Sequence, residues 1–328
     1  MAIAESMKAL VIAAAVIDSV GLGFRAFARS RVQGSFGYDD VVLLLSLISY
    51  VVFVAFTLVA LHYGYGSLTP EPWHDPTQAI KFFILGQPAY VLTSIIVKIG
   101  IALVLIRINV QRPIWHCIVV SLTLFLIPAT ILFFLLILQC HPISVYWGVG
   151  SGSCIDYSIV RTSVFVFSAA DIAANFLYSS LPIIILYSVQ ISLHLRLSVI
   201  FLLGIGFLSS IATAIRFKYV VATSSRNKTL AKVEETENSL TVIAWSHVEI
   251  FLAILATSLI AVRPLIKRGG ELIDAWRRGS TSSPKEDNGL ADSRLPTGSR
   301  RIRDQRVIDY DSRALLIDDG GRVRLPHM

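Results

Sequence analysis

The stretch Phe82–Ile108 reads FFILGQPAYVLTSIIVKIGIALVLIRI. About 20 helical residues at about 1.5 Å each cross the roughly 30 Å hydrocarbon core of a bilayer, so this run is long enough to span one. Arg107 marks its inner limit, which places Lys98 roughly 13 Å deeper, near the midplane. A cation at that depth costs on the order of 3 kcal/mol on insertion scales. Lys98 therefore needs a partner, water or a route to the surface.

The rest of the chain fits that membrane setting. Of 328 residues, 54% are hydrophobic and only 16% charged, with a mean hydropathy of +0.67. This balance excludes an ordinary soluble domain and predicts a polytopic membrane protein. The formal charge of +7 then marks the cytoplasmic side and contacts to lipid headgroups rather than a nucleic-acid partner. Three cysteines are too few for a secreted disulfide scaffold, although two of them can bridge.

Seven apolar segments of single-pass length predict an all-α, seven-helix transmembrane bundle. They run about Ala9–Phe27, Val41–Leu61, Phe82–Ile108, Trp115–Leu138, Val164–Val189 (with Pro182 inside), Leu197–Val220 and Leu240–Val262, the last closed by Arg263-Pro264. The centre of the first, Leu10–Ile17, resembles a signal-peptide core, but Glu5 offsets Lys8, and a retained helix is expected. The bundle is expected to occupy residues 1–268, and the mixed-charge, Ser- and Gly-rich residues 269–328 a disordered cytosolic tail. Residues 271–278 could instead form a short amphipathic helix on the inner leaflet, or an unstructured linker.

Orientation follows from the loops. With the N-terminus outside, Arg29, Arg31, Arg107, Arg112, Arg196, Arg263, Lys267 and Arg268 all fall on the cytosolic side. The loop Ala222–Ser239 carries Arg226, Lys228 and Lys232 on the opposite face, which weakens the bias. Asn227-Lys228-Thr229, an N-glycosylation sequon usable only on the luminal side, supports the N-out reading. Cys140 and Cys154 share that face and are expected to form a disulfide; two free thiols or a metal pair are the alternatives. Cys117 reads as a lone buried thiol.

Counting from helix ends puts Asp18, Asp171 and Glu249 near the depth of Lys98, and buried ionisable groups tend to face the bundle interior and pair. A central polar cluster of Lys98, Asp171, Asn175, Glu249 and Asp18 is expected, with His247 nearby. Asp39 and Asp40 lie at the cytosolic mouth near Arg29, Arg31 and Arg107. No His or Cys ligand accompanies them in sequence, so an ion-pair network is favoured over a metal site. No nucleophile elbow, phosphate-binding glycine loop or zinc-helix motif occurs, and nothing in the sequence asks for an enzyme.

Several motifs share a wider pattern: Gly37-Tyr38-Asp39-Asp40, Tyr63-Gly64-Tyr65-Gly66, Lys98 with Arg107, Cys140-His141-Pro142, Trp147, Cys154, Ile215-Arg216, Trp245, Glu249 and Arg263-Pro264-Leu265. Their order and spacing resemble the fungal rhodopsin-like integral membrane proteins, typified by a satratoxin-cluster membrane protein. The chain is similar also to receptor-like proteins that carry a CFEM domain. The resemblance covers roughly residues 9–268. These 328 residues hold no cysteine-rich CFEM segment. Asp171 and Asn175 stand in exchanged order relative to the family, Gly100 replaces a family serine, and Ile260 replaces a proline.

The resemblance implies a multi-pass protein of the plasma membrane or an endomembrane, receptor-like and sensing a small ligand. A cytosolic G protein is a partner by analogy to other seven-helix proteins. Two other readings stay open: a small-solute or proton-coupled transporter, and an accessory protein of a secondary-metabolite pathway. No cofactor is expected. Retinal proteins hold their chromophore on a lysine of the last helix, and Leu240–Val262 contains no lysine. Reconstitution with retinal is therefore expected to give no visible absorbance band.

Overall fold

A computed structural model describes residues 2–33, 37–67, 72–108, 112–187, 193–224 and 232–279. They form α1 (Ala2–Phe27), α2 (Tyr38–His62), α3 (Pro76–Ile108), α4 (Arg112–Ile137), α5 (Tyr157–Tyr187), α6 (Leu193–Ser224) and α7 (Lys232–Gly279). Seven helices among the described residues are long and apolar enough to cross a membrane. Helices are the open-ended solution there, because hydrocarbon offers no partner to a backbone N–H or C=O. Asn227 and the tail from residue 280 lie outside the described residues.

Consecutive helices pack side by side and α7 closes the ring on α1, while α3 and α7 also meet inside it. α3 is the most enclosed span, with 56% of its apolar window buried against 22% for α4. That difference explains why the deepest lysine can sit on α3. Val16, Ile17, Val20 and Phe24 of α1 face outward, where lipid would cover them. Cys117 is also exposed, contrary to its reading as buried. Ile118 faces the core, and the roughly 100° between successive helical residues turns its neighbour outward.

Several helices start earlier than hydrophobicity predicts, and capping supplies the reason. Asp75 accepts the N–H groups of Thr77 and Gln78 at 2.9 and 3.3 Å, and Pro76 then suits the first helical position of α3. Asp156 accepts the Ser158 N–H at 2.9 Å and starts α5; those bonds hold its exposed carboxyl below the ordinary range. At the other end of the chain, α7 continues to Gly279, past the expected boundary at 268. Pro264 does not stop it, since a proline removes one intrahelical hydrogen bond rather than all of them.

The family motifs have local explanations. Gly64 and Gly66 take φ values of 91° and 80°, a left-handed backbone that side chains disfavour. The turn they make after α2 lets Tyr65 stack on Phe83 of α3, with ring centroids 4.2 Å apart. A Cβ on Gly100 would lie 2.9 Å from Leu43 Cδ2, so its departure from serine matches a tight α2–α3 approach.

Between α4 and α5, β1 (Cys140–His141) pairs antiparallel with β2 (Ser153–Cys154). Cys140 and Cys154 are directly opposed and joined by a disulfide across 14 positions. In the loop-entropy model such a crosslink contributes roughly 3 kcal/mol. Non-reducing peptide mapping should recover Cys140 linked to Cys154 with Cys117 free. Cys154→Ser should lower unfolding stability in detergent by about that amount.

Candidate functional site

The site is a stack of three parts: a cavity at the disulfide end of the bundle, a buried ion-pair cluster beneath it, and a second ion-pair cluster at the opposite end.

The central cluster draws on four helices. Lys98 of α3 lies 2.9 Å from Asp171 Oδ1 of α5 and 3.7 Å from Glu249 Oε1 of α7. It also donates a short hydrogen bond to Asn175 Oδ1. Asn175 in turn donates to Thr213 Oγ1 on α6 at 2.9 Å and to Glu249 Oε1 at 3.2 Å. Asp171 and Asn175 stand one helical turn apart, on one face of α5. The side chains of Lys98, Asp171 and Glu249 are at most 2% exposed.

Arg216 of α6 completes the cluster. Its Nη2 donates to Asp171 Oδ2 at 3.0 Å, and its Nε stands 3.6 Å from Glu249 Oε2. The guanidinium lies over the rings of Tyr90 and Phe167, at 5.0 and 5.7 Å, as cation–π contacts require. Tyr90 Oη donates toward Glu249 Oε2 at 3.1 Å and Asp171 Oδ2 at 3.4 Å. Two cations thus face two carboxylates, and the buried charges balance. Pairing of this kind lowers the cost of burying ions.

Two expected members sit elsewhere. Asp18 is fully buried, but no ion pair among the described residues joins it to Lys98, and neither of its oxygens has a hydrogen-bond partner. α1 packs against α2 and α7, so matching depth did not put Asp18 beside α3. His247 stacks on Phe53 at 4.1 Å and shares a hydrogen bond with Thr57 Oγ1 at 3.0 Å. It is two residues from Glu249, and residues at that spacing do not share a helix face. Tyr90 and Arg216 also belong to the cluster, and counting depth along the sequence does not reach them. Arg216 was visible only as a helix-end motif, although an arginine before the end of an apolar segment is itself a signal of inward pairing.

The second cluster holds the opposite end. Arg25 of α1 contacts Asp39 Oδ2 and Asp40 Oδ1, each at 2.9 Å, and donates to the Thr257 carbonyl of α7 at 2.5 Å. Arg107 of α3 lies 2.6 Å from Asp39 Oδ1, and Arg29 lies 3.6 and 3.9 Å from the two carboxylates. Arg29 belongs to a π-helical turn, Ala28–Gln33, that follows α1. Arg31 on that turn is exposed and joins none of these contacts; Arg25 takes the place expected of it. The Gly37 N–H donates to Asp40 Oδ2 at 3.1 Å, so Asp40 both caps α2 and binds arginine. Among the described residues no group of His, Cys, Asp or Glu could hold a metal ion.

The cavity has a volume of about 250 Å³. Phe53, Phe82, Phe83, Tyr146, Tyr157 and Phe167 give it aromatic walls, and Tyr90 and Arg216 form its polar floor. Burial pushes the Tyr146 phenol above its ordinary pKa, so it remains a neutral group at the mouth. The floor residues Tyr90 and Arg216 are those that hold Asp171 and Glu249, so a molecule seated on the floor touches the cluster directly.

Removing one partner from a buried pair leaves an uncompensated charge, which typically costs about 3–5 kcal/mol. Lys98→Met should lower stability in detergent by about that amount. Adding Asp171→Asn should cost less than the sum of the two single changes, by about 1 kcal/mol or more in a double-mutant cycle.

Residues 24–268 match the model of the fungal rhodopsin domain. No curated protein and no solved structure gives a significant match.

Proposed function

This chain belongs to the fungal rhodopsin domain family, and we propose that within the membrane it works as a receptor-like sensor of a small ligand. The observation that carries the reading is the shared floor: Tyr90 and Arg216 line the cavity and also bind Asp171 and Glu249. A ligand seated there makes contacts that differ with the arrangement of the cluster, which is the requirement for shifting a conformational equilibrium.

The route to the far end runs along two helices. Lys98 and Arg107 are nine residues apart on α3, and Glu249 and Thr257 eight apart on α7, so each helix spans the two clusters over roughly 12–13 Å. A small shift of α3 against α7 at the cavity floor would be felt at the Arg25 and Arg107 contacts with Asp39. In this reading the disulfide end is exoplasmic, and the Asp39–Asp40 end faces the cytosol, where a G protein or another effector could read the change.

A transporter would use the same buried charges as a path, and the two roles separate by experiment. Cells expressing the full chain and exposed to fractionated extract of the source cells should give a ligand-dependent signal. The same fractions should give no solute flux into proteoliposomes. Lys98→Ala and Tyr90→Phe should reduce the signal about tenfold or more at equal surface expression. Flux that disappears in Lys98→Ala, with no signalling response, would overturn the sensor reading in favour of transport.

A further inference from the structure

We propose that the cavity takes a small organic acid, with its carboxylate on Arg216 and a one- or two-ring body among the aromatic walls. The proposal rests on the sensor reading only for the cavity being a ligand site.

Arg216 has unsatisfied donor capacity. A guanidinium carries five N–H donors in a planar fork, and this one is 3% exposed. Among the described residues it makes one hydrogen bond, from Nη2 to Asp171. Its buried Nε makes none but already faces Glu249 Oε2 at 3.6 Å, so the spare donors are those of the Nη atoms. A buried arginine with spare donors on the floor of a cavity calls for acceptor oxygens, and the fork matches a carboxylate in two-point geometry.

The charge of the lining has the matching sign. Arg161 and Arg216 both line the cavity, and among its described lining residues there is no aspartate or glutamate. Asp171 and Glu249 sit beyond Arg216 and Tyr90, already paired with Lys98 and Arg216. An ammonium ligand would find no carboxylate within the described lining and the Arg216 guanidinium beneath it. A neutral hydrocarbon would leave the Arg216 donors without acceptors, the costly case for buried polar groups.

Size and walls set the rest of the molecule. The volume of about 250 Å³ falls below the roughly 300–1,000 Å³ of drug-sized sites, which favours one or two rings over a long chain or a polycycle. Flat rings stack on the aromatic walls, where aromatic pairs prefer offset or edge contacts. Binding also has a built-in consequence. The carboxylate adds a third anion to two cations, so it takes Arg216 from Asp171 or Glu249, and the displaced carboxylate then depends on Lys98, which lies within 3.7 Å of both.

The test uses three isosteric probes on the purified full-length chain in nanodiscs, with empty nanodiscs subtracting partition into lipid: 1-naphthoate, 1-naphthamide and 1-naphthylmethylammonium. Ligand-observed NMR and thermal shift read the affinity. The acid should bind about tenfold or more tighter than the amide, and the ammonium weakest. Arg216→Gln should bring acid and amide level. Because that change can also destabilise the bundle, Arg161→Gln at the cavity wall is the second variant; it should weaken the acid several-fold and leave the amide unchanged. Amide or ammonium binding as well as the acid would overturn the proposal while leaving a ligand cavity in place. Binding by none of the three would overturn the proposal and count against the cavity as a ligand site.

Discussion

The pairing of Lys98 and Arg216 with Asp171 and Glu249 is the constraint the rest of the bundle accommodates. Four full charges at the middle of an apolar bundle are acceptable only if they neutralise one another at short range. That demand fixes which faces of α3, α5, α6 and α7 turn inward, because each helix contributes one ion to it. Asn175 and Thr213 are then drawn in as hydrogen-bond partners, and Tyr90 closes the cluster toward the cavity. In a membrane, apolar side chains gain little by leaving lipid for another helix. Polar contacts of this kind therefore carry much of the specificity of packing.

The second cluster solves the related problem at a helix terminus. Asp39 and Asp40 sit in the first turn of α2, where the helix dipole favours negative charge, and they attract arginines from α1, α3 and the π-helical turn. Arg25 also reaches the Thr257 carbonyl of α7. The two clusters consequently bind different helix sets: α3, α5, α6 and α7 in the middle, and α1, α2, α3 and α7 at the end. α3 and α7 belong to both, and they are the helices that also meet inside the ring.

Much of this was legible in the sequence, and the failures have a common cause. Seven apolar runs gave the bundle, and counting residues put Lys98, Asp171 and Glu249 at one level, where they meet. Depth is one coordinate of two. The other is direction around the helix axis, together with which helices are neighbours, and a single sequence supplies that poorly. Asp18 has the depth of the cluster but lies on a helix packed against α2 and α7. His247 has nearly the depth of Glu249 but points about 200° away from it. Asn175, one turn from Asp171, was readable because the spacing itself fixes direction. Helix starts were missed where hydrophobicity is silent and a capping aspartate decides, as at Asp75 and Asp156.

The cluster is balanced in charge but not saturated in hydrogen bonds, and that difference matters for what it can do. Lys98 contacts both carboxylates and Asn175, while Arg216 keeps one hydrogen bond and Tyr90 divides its hydroxyl between two acceptors at 3.1 and 3.4 Å. A fully satisfied network of this size would be rigid, since every rearrangement would break bonds without replacement. Here Asp171 and Glu249 can exchange Tyr90, Lys98 and Arg216 between them with little change in the number of bonds made. The charges keep the helices together, and the spare donors leave more than one arrangement within reach. Both properties come from the same residues, so a substitution that saturates Arg216 from within the protein would hold the cluster in one arrangement.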